Sequence, residues 1–146
     1  MKNVLKHVKL VTKKQFELVD ITTAVKEAVA ASAVTSGLAV VFNPHTTAAI
    51  RTNHHEPLLF QDIMKAVYSL IPDDVSYSHD LFEVRTEVAV NERSNGSAHV
   101  KSFLFGSSET FVIEEGQLLL GAKQSIFFVE FDGGRNRDCY IKILGE

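Results

Sequence analysis

Three histidines stand where predicted elements begin or end, and imidazoles are side chains that divalent metals such as zinc favour. His45 follows the apolar run Leu38–Phe42, and His79 and His99 come later in the chain. Three neutral imidazoles with an open fourth position suit a catalytic zinc, which activates bound water and polarises a carbonyl or phosphoryl oxygen. Their separations are not the local ligand spacings of a zinc finger. The spacing therefore leaves two alternatives open, one shared metal site or three unrelated polar histidines.

A second group of polar side chains is cationic or hydroxylic. Arg135 and Arg137 directly follow Gly133-Gly134, and guanidinium forks bind phosphate or carboxylate through two hydrogen bonds. If these arginines converge near the histidines, they would hold the anionic end of a substrate. The alternative is a surface hairpin on which they pair with Asp132 and Asp138. We assign substrate or anion binding to Thr46, Thr47, Asn53, Asn95, Arg135 and Arg137.

Hydrophobic patterning predicts the strands that must position these groups. The predicted strands cover residues 4–12, 16–19, 38–42, 48–52, 75–78, 110–113, 118–120, 125–132 and 138–144. Two turns, Lys13-Lys14-Gln15 and Gly133-Gly134, are expected to close hairpins. The segment Leu81–Val90 fits both a helix and an extended conformation, because Val84 and Val88 suit either period.

Three helices are also predicted. The first begins with Thr22 as its N-cap and ends at Gly37, the second runs from Pro57 to Ile71, and the third starts at Asn95 and stops at Gly106. Strands of this kind with about three helices indicate the α+β class. We therefore predict a single domain over residues 1–146, with a mostly antiparallel curved sheet or a barrel-like sandwich.

Composition limits the classes of protein that remain. The chain has 146 residues, of which 45% are hydrophobic and 23% charged, and its formal net charge is −3. These values are ordinary for a soluble domain and give no polycationic signature of nucleic-acid binding. No signal peptide and no run of roughly 20 apolar residues is present, so we expect no membrane partner. The single cysteine, Cys139, reads as a core residue and is compatible with a cytoplasmic location.

The motifs above occur in the order of a known family. They resemble the signatures of the YjbQ family, also called UPF0047, over essentially the whole chain: His45-Thr46-Thr47, Tyr77-Ser78-His79-Asp80, Asn95 with His99, and Asp132-Gly133-Gly134-Arg135-Asn136-Arg137. The resemblance implies a small YjbQ-like α+β protein and a homotrimer. It also implies a metal site made by His45, His79 and His99, and a secondary thiamine-phosphate synthase activity.

Single positions both match the family and depart from it. We assign catalytic roles to Asp80, Gln124 and Glu130, although for Glu130 the role of an ion-pair partner is favoured over that of a general base. Lys123 stands where relatives often have tryptophan, and the chain has no tryptophan. An aromatic wall for a ring-shaped substrate would be missing there, which counts against transfer of the thiamine-related activity.

The residues and the resemblance together predict a metal-dependent enzyme that acts on a small phosphorylated compound. It would be a thiamine-phosphate synthase-type transferase or a metal-dependent hydrolase, with a divalent metal, zinc first, as cofactor. Its partners would be further copies of the chain and a small phosphorylated or anionic molecule. The alternatives are a non-enzymatic metal- or ligand-binding trimer and a structural subunit of a larger complex.

Overall fold

The computed structural model describes all 146 residues, which form three α-helices and eight β-strands. The helices are α1 (Thr22–Ser32), α2 (Pro57–Leu70) and α3 (Gly96–Phe105). The strands are β1 (Lys2–Val11), β2 (Glu17–Asp20), β3 (Gly37–Phe42), β4 (Ala48–Asn53), β5 (Ser108–Glu114), β6 (Gln117–Leu118), β7 (Ser125–Glu130) and β8 (Asn136–Gly145). The predicted α+β fold, with three helices and a curled antiparallel sheet, is confirmed.

The strands form two sheets, and this arrangement shows that both predicted hairpins are wrong. The large sheet has the order β1-β8-β3-β5-β6, and the small sheet has the order β2-β7-β4. The turns at residues 13–15 and at Gly133-Gly134 therefore each carry the chain from one sheet to the other. They are held together, because Thr12 donates its N–H to Arg135 O at 2.9 Å and Gly133 donates to Gln15 O at 3.3 Å.

The start and end of α1 also differ from the prediction. Asp20 Oδ1 accepts from the Thr22 amide at 2.9 Å, while the Thr22 hydroxyl accepts from the Ile126 amide of β7 at 2.8 Å. The helix ends at Ser32, and Ala33 takes the left-handed conformation (φ 53°). Gly37 instead lies in β3, where an added Cβ would stand 2.1 Å from Leu144 O. Close strand packing, and not a helix cap, is what requires this glycine.

Two buried clusters fill the interior. The larger contains sixteen residues, including Val41, Ile50, Phe128 and Cys139, and the smaller contains seven, including Phe127. Cys139 is fully buried, and burial raises the pKa of its thiol to about 12, so it behaves as a core side chain. None of the three helices is long and apolar enough to cross a membrane.

The stretch between α2 and α3 contains little regular structure. The strand predicted over Val75–Ser78 is not formed, and a single 3-10 turn covers Ser78–Asp80. The ambiguous segment Leu81–Val90 is neither helix nor strand. This long connection, ending at Asn95, brings Arg93 against the turn at residues 132–134.

Candidate functional site

His45 lies in the connection between β3 and β4, and its orientation is fixed by hydrogen bonds on two sides. Asn43, 1% exposed, accepts from the His45 amide at 2.9 Å and donates to the His45 carbonyl at 3.2 Å. The ring Nε2 accepts from the Asp138 amide at 2.8 Å. The neutral ring therefore carries its proton on Nδ1. Burial, reinforced by the Arg137 charge, lowers the pKa of His45 and keeps the ring neutral near pH 7.

His79 and His99 form a separate pair. Their ring centroids are 4.6 Å apart, with one ring edge-on to the other. Burial lowers the pKa of His99, and the positive charge of the neighbouring His79 lowers that pKa further. His79 Nε2 has no hydrogen-bond partner and lies 3.7 Å from Glu92 Oε1.

The three histidines do not form the predicted metal site. His45 and His99 line one pocket of about 350 Å³. Nowhere, however, do three His, Cys, Asp or Glu side chains come together in a group that could hold a metal ion. The Nε2 lone pair of His45 is also already used by a backbone amide. The residues present therefore do not fit the implied three-histidine site. A divalent metal such as zinc as cofactor stays a prediction.

Glu130 and Arg137 form a buried ion pair close to His45. Glu130 is 0% and Arg137 5% exposed. Arg137 Nε donates to Glu130 Oε1 at 2.7 Å, and one of its Nη groups donates to Glu130 Oε2 and, at 2.7 Å, to the Thr47 hydroxyl. The Thr12 hydroxyl donates to Glu130 Oε1 at 2.7 Å. Glu130 thus lies where the ion-pair interpretation places it, with its oxygens occupied.

A second anchored arginine lies beside the first. Asp132, 2% exposed, accepts from Arg135 at 2.7 Å and from the Asn95 amide group at 2.9 Å. Arg93 donates to the carbonyl of Asp132 at 2.9 Å and to that of Gly134 at 3.2 Å. The Asp132 amide in turn donates to Glu130 at 3.0 Å, so the two arginine anchors are joined.

Arg93, Arg135 and Arg137, together with His45, line an open cleft of about 710 Å³. Its nine lining residues include four cations and no carboxylate: Val11, Thr12, Lys13, His45, Arg93, Gly134, Arg135, Asn136 and Arg137. The second Nη group of Arg137 makes no hydrogen bond inside the protein and is not sealed from solvent. The same Nη group of Arg135 is also without a protein acceptor. The cleft therefore presents guanidinium N–H donors held in place from behind.

Other predicted site residues lie elsewhere. Asn53 and Gln124 line a different pocket, at the end of β4 opposite to Ala48. Five strand steps separate the two ends of β4, roughly 17 Å. Gln124 bonds the Gly121 amide at 2.8 Å, and Asp80 accepts from the Gly96 amide at 3.0 Å at the start of α3. Thr46 lines the smaller pocket with His45 and His99. The structure thus brings together His45, Thr47, Glu130, Arg135 and Arg137, with Asn95 behind Arg135 through Asp132.

Sequence reasoning missed four contributors to the cleft and its support. They are Thr12, Lys13, Asn43 and Arg93. Asn43, two residues before His45, carried a usable signal, because Asn side chains commonly bond the backbone two residues on. The other three are far in sequence from Arg135 and Arg137; Thr12 and Lys13 meet them through the sheet crossover, and Arg93 through the connection between α2 and α3. No local pattern could have placed them.

We predict that folding stability depends on His45 protonation. Its folded pKa lies below the ordinary value, so between the two values the unfolded chain binds more protons, and stability must fall as pH drops through about 6.5. The melting temperature should fall less between pH 7.5 and pH 5.5 in His45→Asn than in wild type. His54→Asn, whose ring makes no hydrogen bond, serves as control and should behave as wild type. Identical pH profiles for wild type and His45→Asn would contradict the prediction.

The molecule is thus a small α+β protein with a cationic cleft at a sheet crossover. The chain belongs to the UPF0047 YjbQ-like family, whose model matches residues 6–146. It is 41% identical over 136 residues to a UPF0047 protein of Methanocaldococcus jannaschii, covering 92% of this chain and 90% of that protein. It is 36% identical over 142 residues to the UPF0047 protein YugU of Bacillus subtilis, covering 97% and 99%.

Solved structures agree with this membership. A YbjQ-like protein of unknown function from Sulfolobus solfataricus P2 superimposes with a TM-score of 0.90 at 35% identity, over 99% of both chains. A hypothetical protein from Aeropyrum pernix K1 gives a TM-score of 0.87 at 32% identity, over 98% of this chain and 99% of that one.

The predicted function is corrected by these findings. A metal-dependent enzyme for a phosphorylated compound, of the thiamine-phosphate synthase or hydrolase type, required a three-ligand metal group, and none is formed. The similar proteins are described only as UPF0047 proteins or as of unknown function. The family is therefore established for this chain, and the predicted metal-dependent enzyme of the thiamine-phosphate synthase or hydrolase type is wrong.

Proposed function

We propose that this protein binds a small anionic molecule, with a phosphate or carboxylate group, in the cleft lined by Arg93, Arg135 and Arg137. The observation that carries the proposal is the outward-facing Nη group of Arg137. This guanidinium is almost completely buried and fully engaged behind by Glu130 and Thr47, yet one end opens to the cleft. An arginine held in this way loses little side-chain entropy when it binds an oxyanion.

The surroundings of Arg137 favour the same ligand class. Lys13, Arg93 and Arg135 add three further positive charges, while the carboxylates that anchor the arginines lie behind them and not in the lining. The neutral His45 ring offers an N–H on Nδ1 because its Nε2 accepts from the backbone. The cleft therefore offers hydrogen-bond donors and positive potential, which match the acceptor oxygens of phosphate and carboxylate.

Arg135→Ala tests the proposal. Arg135 is 34% exposed and can be removed with less effect on folding than the buried Arg137. Because charge-assisted hydrogen bonds contribute about 1.5–3 kcal/mol, we expect inorganic phosphate to bind at least about tenfold more weakly. Isothermal titration calorimetry with phosphate measures this change. Lys123→Ala is the matched control, since it removes one cation from the distant pocket that contains Asn53.

Equal phosphate affinity in wild type and Arg135→Ala would move the anion site elsewhere. Equal losses in Arg135→Ala and Lys123→Ala would show that only net charge matters and would also contradict a built site. Circular dichroism and a melting curve of each variant exclude unfolding as the cause.

We further propose that the protein acts in the cytoplasm as a homotrimer. An apolar row across the outer face of the large sheet supports assembly: the register aligns Leu144 of β8, Leu38 of β3 and Val112 of β5, which are 36%, 47% and 45% exposed. A contiguous exposed apolar patch is typical of a protein–protein interface. Sedimentation equilibrium should give three chain masses.

A further inference from the structure

An apolar pocket lies between α2 and the small sheet, and it shares no lining residue with the arginine cleft. Its volume is about 280 Å³, and eight of its eleven lining residues are hydrophobic. Phe127 and Val129 of β7 line it on the sheet side, and Ile63 and Val67 line it from α2. Val67 is the only buried residue of α2, so the helix does not close the space beneath it. Because an apolar cavity of about 150 Å³ already binds benzene, this pocket is large enough for a small organic molecule.

A polar pocket adjoins the apolar pocket at the end of β4. Its volume is about 470 Å³, and its lining contains no hydrophobic residue. Thr52 and Asn53 line both pockets, so a molecule in the apolar pocket can extend into the polar one. The two linings include the cations Arg51 and Lys123 and contain no carboxylate. Together they match a molecule that has an apolar body and an anionic head group.

Two amide side chains offer free donor groups in the polar pocket. Asn53 Oδ1 accepts from the His54 amide at 2.8 Å, and Gln124 Oε1 accepts from the Gly121 amide at 2.8 Å. The oxygen of each side chain is therefore occupied, while its NH₂ group makes no hydrogen bond within the chain. Ionised carboxylate oxygens accept hydrogen bonds and donate none, so they are the complementary head group.

The charges around the two pockets indicate a single negative charge on the ligand. Arg51 already pairs with Glu109 at 3.3 Å and donates to Phe105 O at 3.3 Å. Lys123 is exposed and forms neither an ion pair nor a side-chain hydrogen bond. One unpaired cation balances a monocarboxylate, whereas a phosphate monoester would carry about −1.5 to −2 charges.

We propose that the two pockets together bind a small amphipathic monocarboxylate of the medium-chain fatty acid type. Its apolar body lies between α2 and the small sheet, and its carboxylate contacts Asn53, Lys123 and Gln124. Burial of the body provides affinity, and the polar contacts fix the orientation. The site is separate from the anion cleft, so this proposal does not depend on the function proposed above.

Titration with carboxylates of increasing length tests the apolar part of the site. Isothermal titration calorimetry with acetate, butanoate, hexanoate and octanoate keeps the head group constant. We expect the affinity to rise by up to about fourfold for each added CH₂ group until the body fills the apolar pocket. The uncharged 1-octanol should bind more weakly than octanoate. Octanoate that binds no more tightly than acetate, or no more tightly than 1-octanol, would overturn the proposal.

Ile63→Phe tests where the apolar body lies. The larger side chain extends into the apolar pocket and displaces about two CH₂ groups of the ligand, so octanoate should bind at least about tenfold more weakly. Leu70→Phe is the matched control, because Leu70 lies on the same helix, is 67% exposed and lines neither pocket. Melting curves of both variants exclude unfolding as the cause.

Two results with Ile63→Phe would contradict the assignment. Octanoate affinity equal to that of wild type would show that the body does not lie beneath α2. If octanoate does not bind wild type and Ile63→Phe changes the mass measured by sedimentation equilibrium, the apolar pocket holds a side chain of a second copy instead. Either result overturns the proposal.

Two cation variants separate this site from the arginine cleft. Lys123→Ala should weaken octanoate binding about threefold, as expected for one exposed charge, and should leave phosphate binding unchanged. Arg135→Ala should weaken phosphate binding and leave octanoate binding unchanged, and saturating phosphate should not displace octanoate. Displacement by phosphate, or loss of octanoate binding in Arg135→Ala, would place octanoate in the cleft and overturn this proposal. Phosphate binding that still depends on Arg135 would then leave the proposed anion site standing.

Discussion

Replacing Glu130 by alanine is expected to lower the free energy of unfolding by about 3–5 kcal/mol. The carboxylate is 0% exposed and accepts from Arg137, from the Thr12 hydroxyl and from the Asp132 amide. Its removal leaves the Arg137 guanidinium buried without a counter-charge, leaves the Asp132 amide without an acceptor, and leaves the Thr12 hydroxyl with only its long bond to Arg135 O at 3.3 Å. Breaking a buried pair from one side costs far more than the net contribution of the pair, since the remaining charge stays desolvated.

Glu109→Ala is the matched control for this experiment. Glu109 pairs with Arg51 at 3.3 Å, but Arg51 is 54% exposed, so water can solvate the remaining charge. Exposed pairs contribute about 0–1 kcal/mol, and the control should lose no more than about that amount plus its bond to Thr52. Urea unfolding monitored by circular dichroism measures both variants. A loss below about 1 kcal/mol in Glu130→Ala would show that the pair is not the closed network described above.

The sequence predicted the elements whose signals are local. The apolar run that forms β3 and the amphipathic stripe of α2 can be recognised without the rest of the chain. The pattern of apolar residues within each segment is enough to predict a buried strand or a helix with one buried face. Pro57 and Gly106 also mark the ends of helices, as expected from backbone chemistry. For these segments the prediction and the structure agree to within about two residues.

The connections between the sheets could not be predicted in the same way. Gly133-Gly134 has the composition of a hairpin turn, but the strands on its two sides pair with β4 and β3 and not with each other. Which strand pairs with which depends on contacts between residues far apart in sequence, such as Thr12 with Arg135. The two glycines predict only that the chain turns. They do not predict with which strand the next segment pairs.

The candidate site shows the same division. Arg135, Arg137, Glu130 and Thr47 were selected by type and do converge, because β4 and β8 begin, and β7 ends, near one sheet crossover. Convergence of the three histidines would have required the Ser78–Asp80 turn and α3 to place both rings beside His45, and the sequence specifies neither position. His79 and His99 instead face each other. Residue type indicates what a group can do, while long-range pairing decides what it meets.

Phe128→Ala is expected to lower the free energy of unfolding by about 3–5 kcal/mol. Phe128 is 0% exposed in the central strand of the small sheet, between Val19 of β2 and Ile50 of β4. Its side chain belongs to the larger buried cluster, and the His45 ring packs edge-on to it with centroids 6.5 Å apart. Truncation removes a whole aromatic ring from water-free packing and leaves a cavity that strands fixed on both sides cannot close.

Phe103→Ala, the same chemical change on α3, is the control, because Phe103 is 88% exposed and its loss should change stability by no more than about 0.5 kcal/mol. Urea midpoints of both variants measure the difference. A small loss in Phe128→Ala would mean that the core beneath the cleft can rearrange, and His45 could not then be held rigidly. A large loss in Phe128→Ala would show that the donor groups of the cleft rest on a packed support, as preorganised anion binding requires.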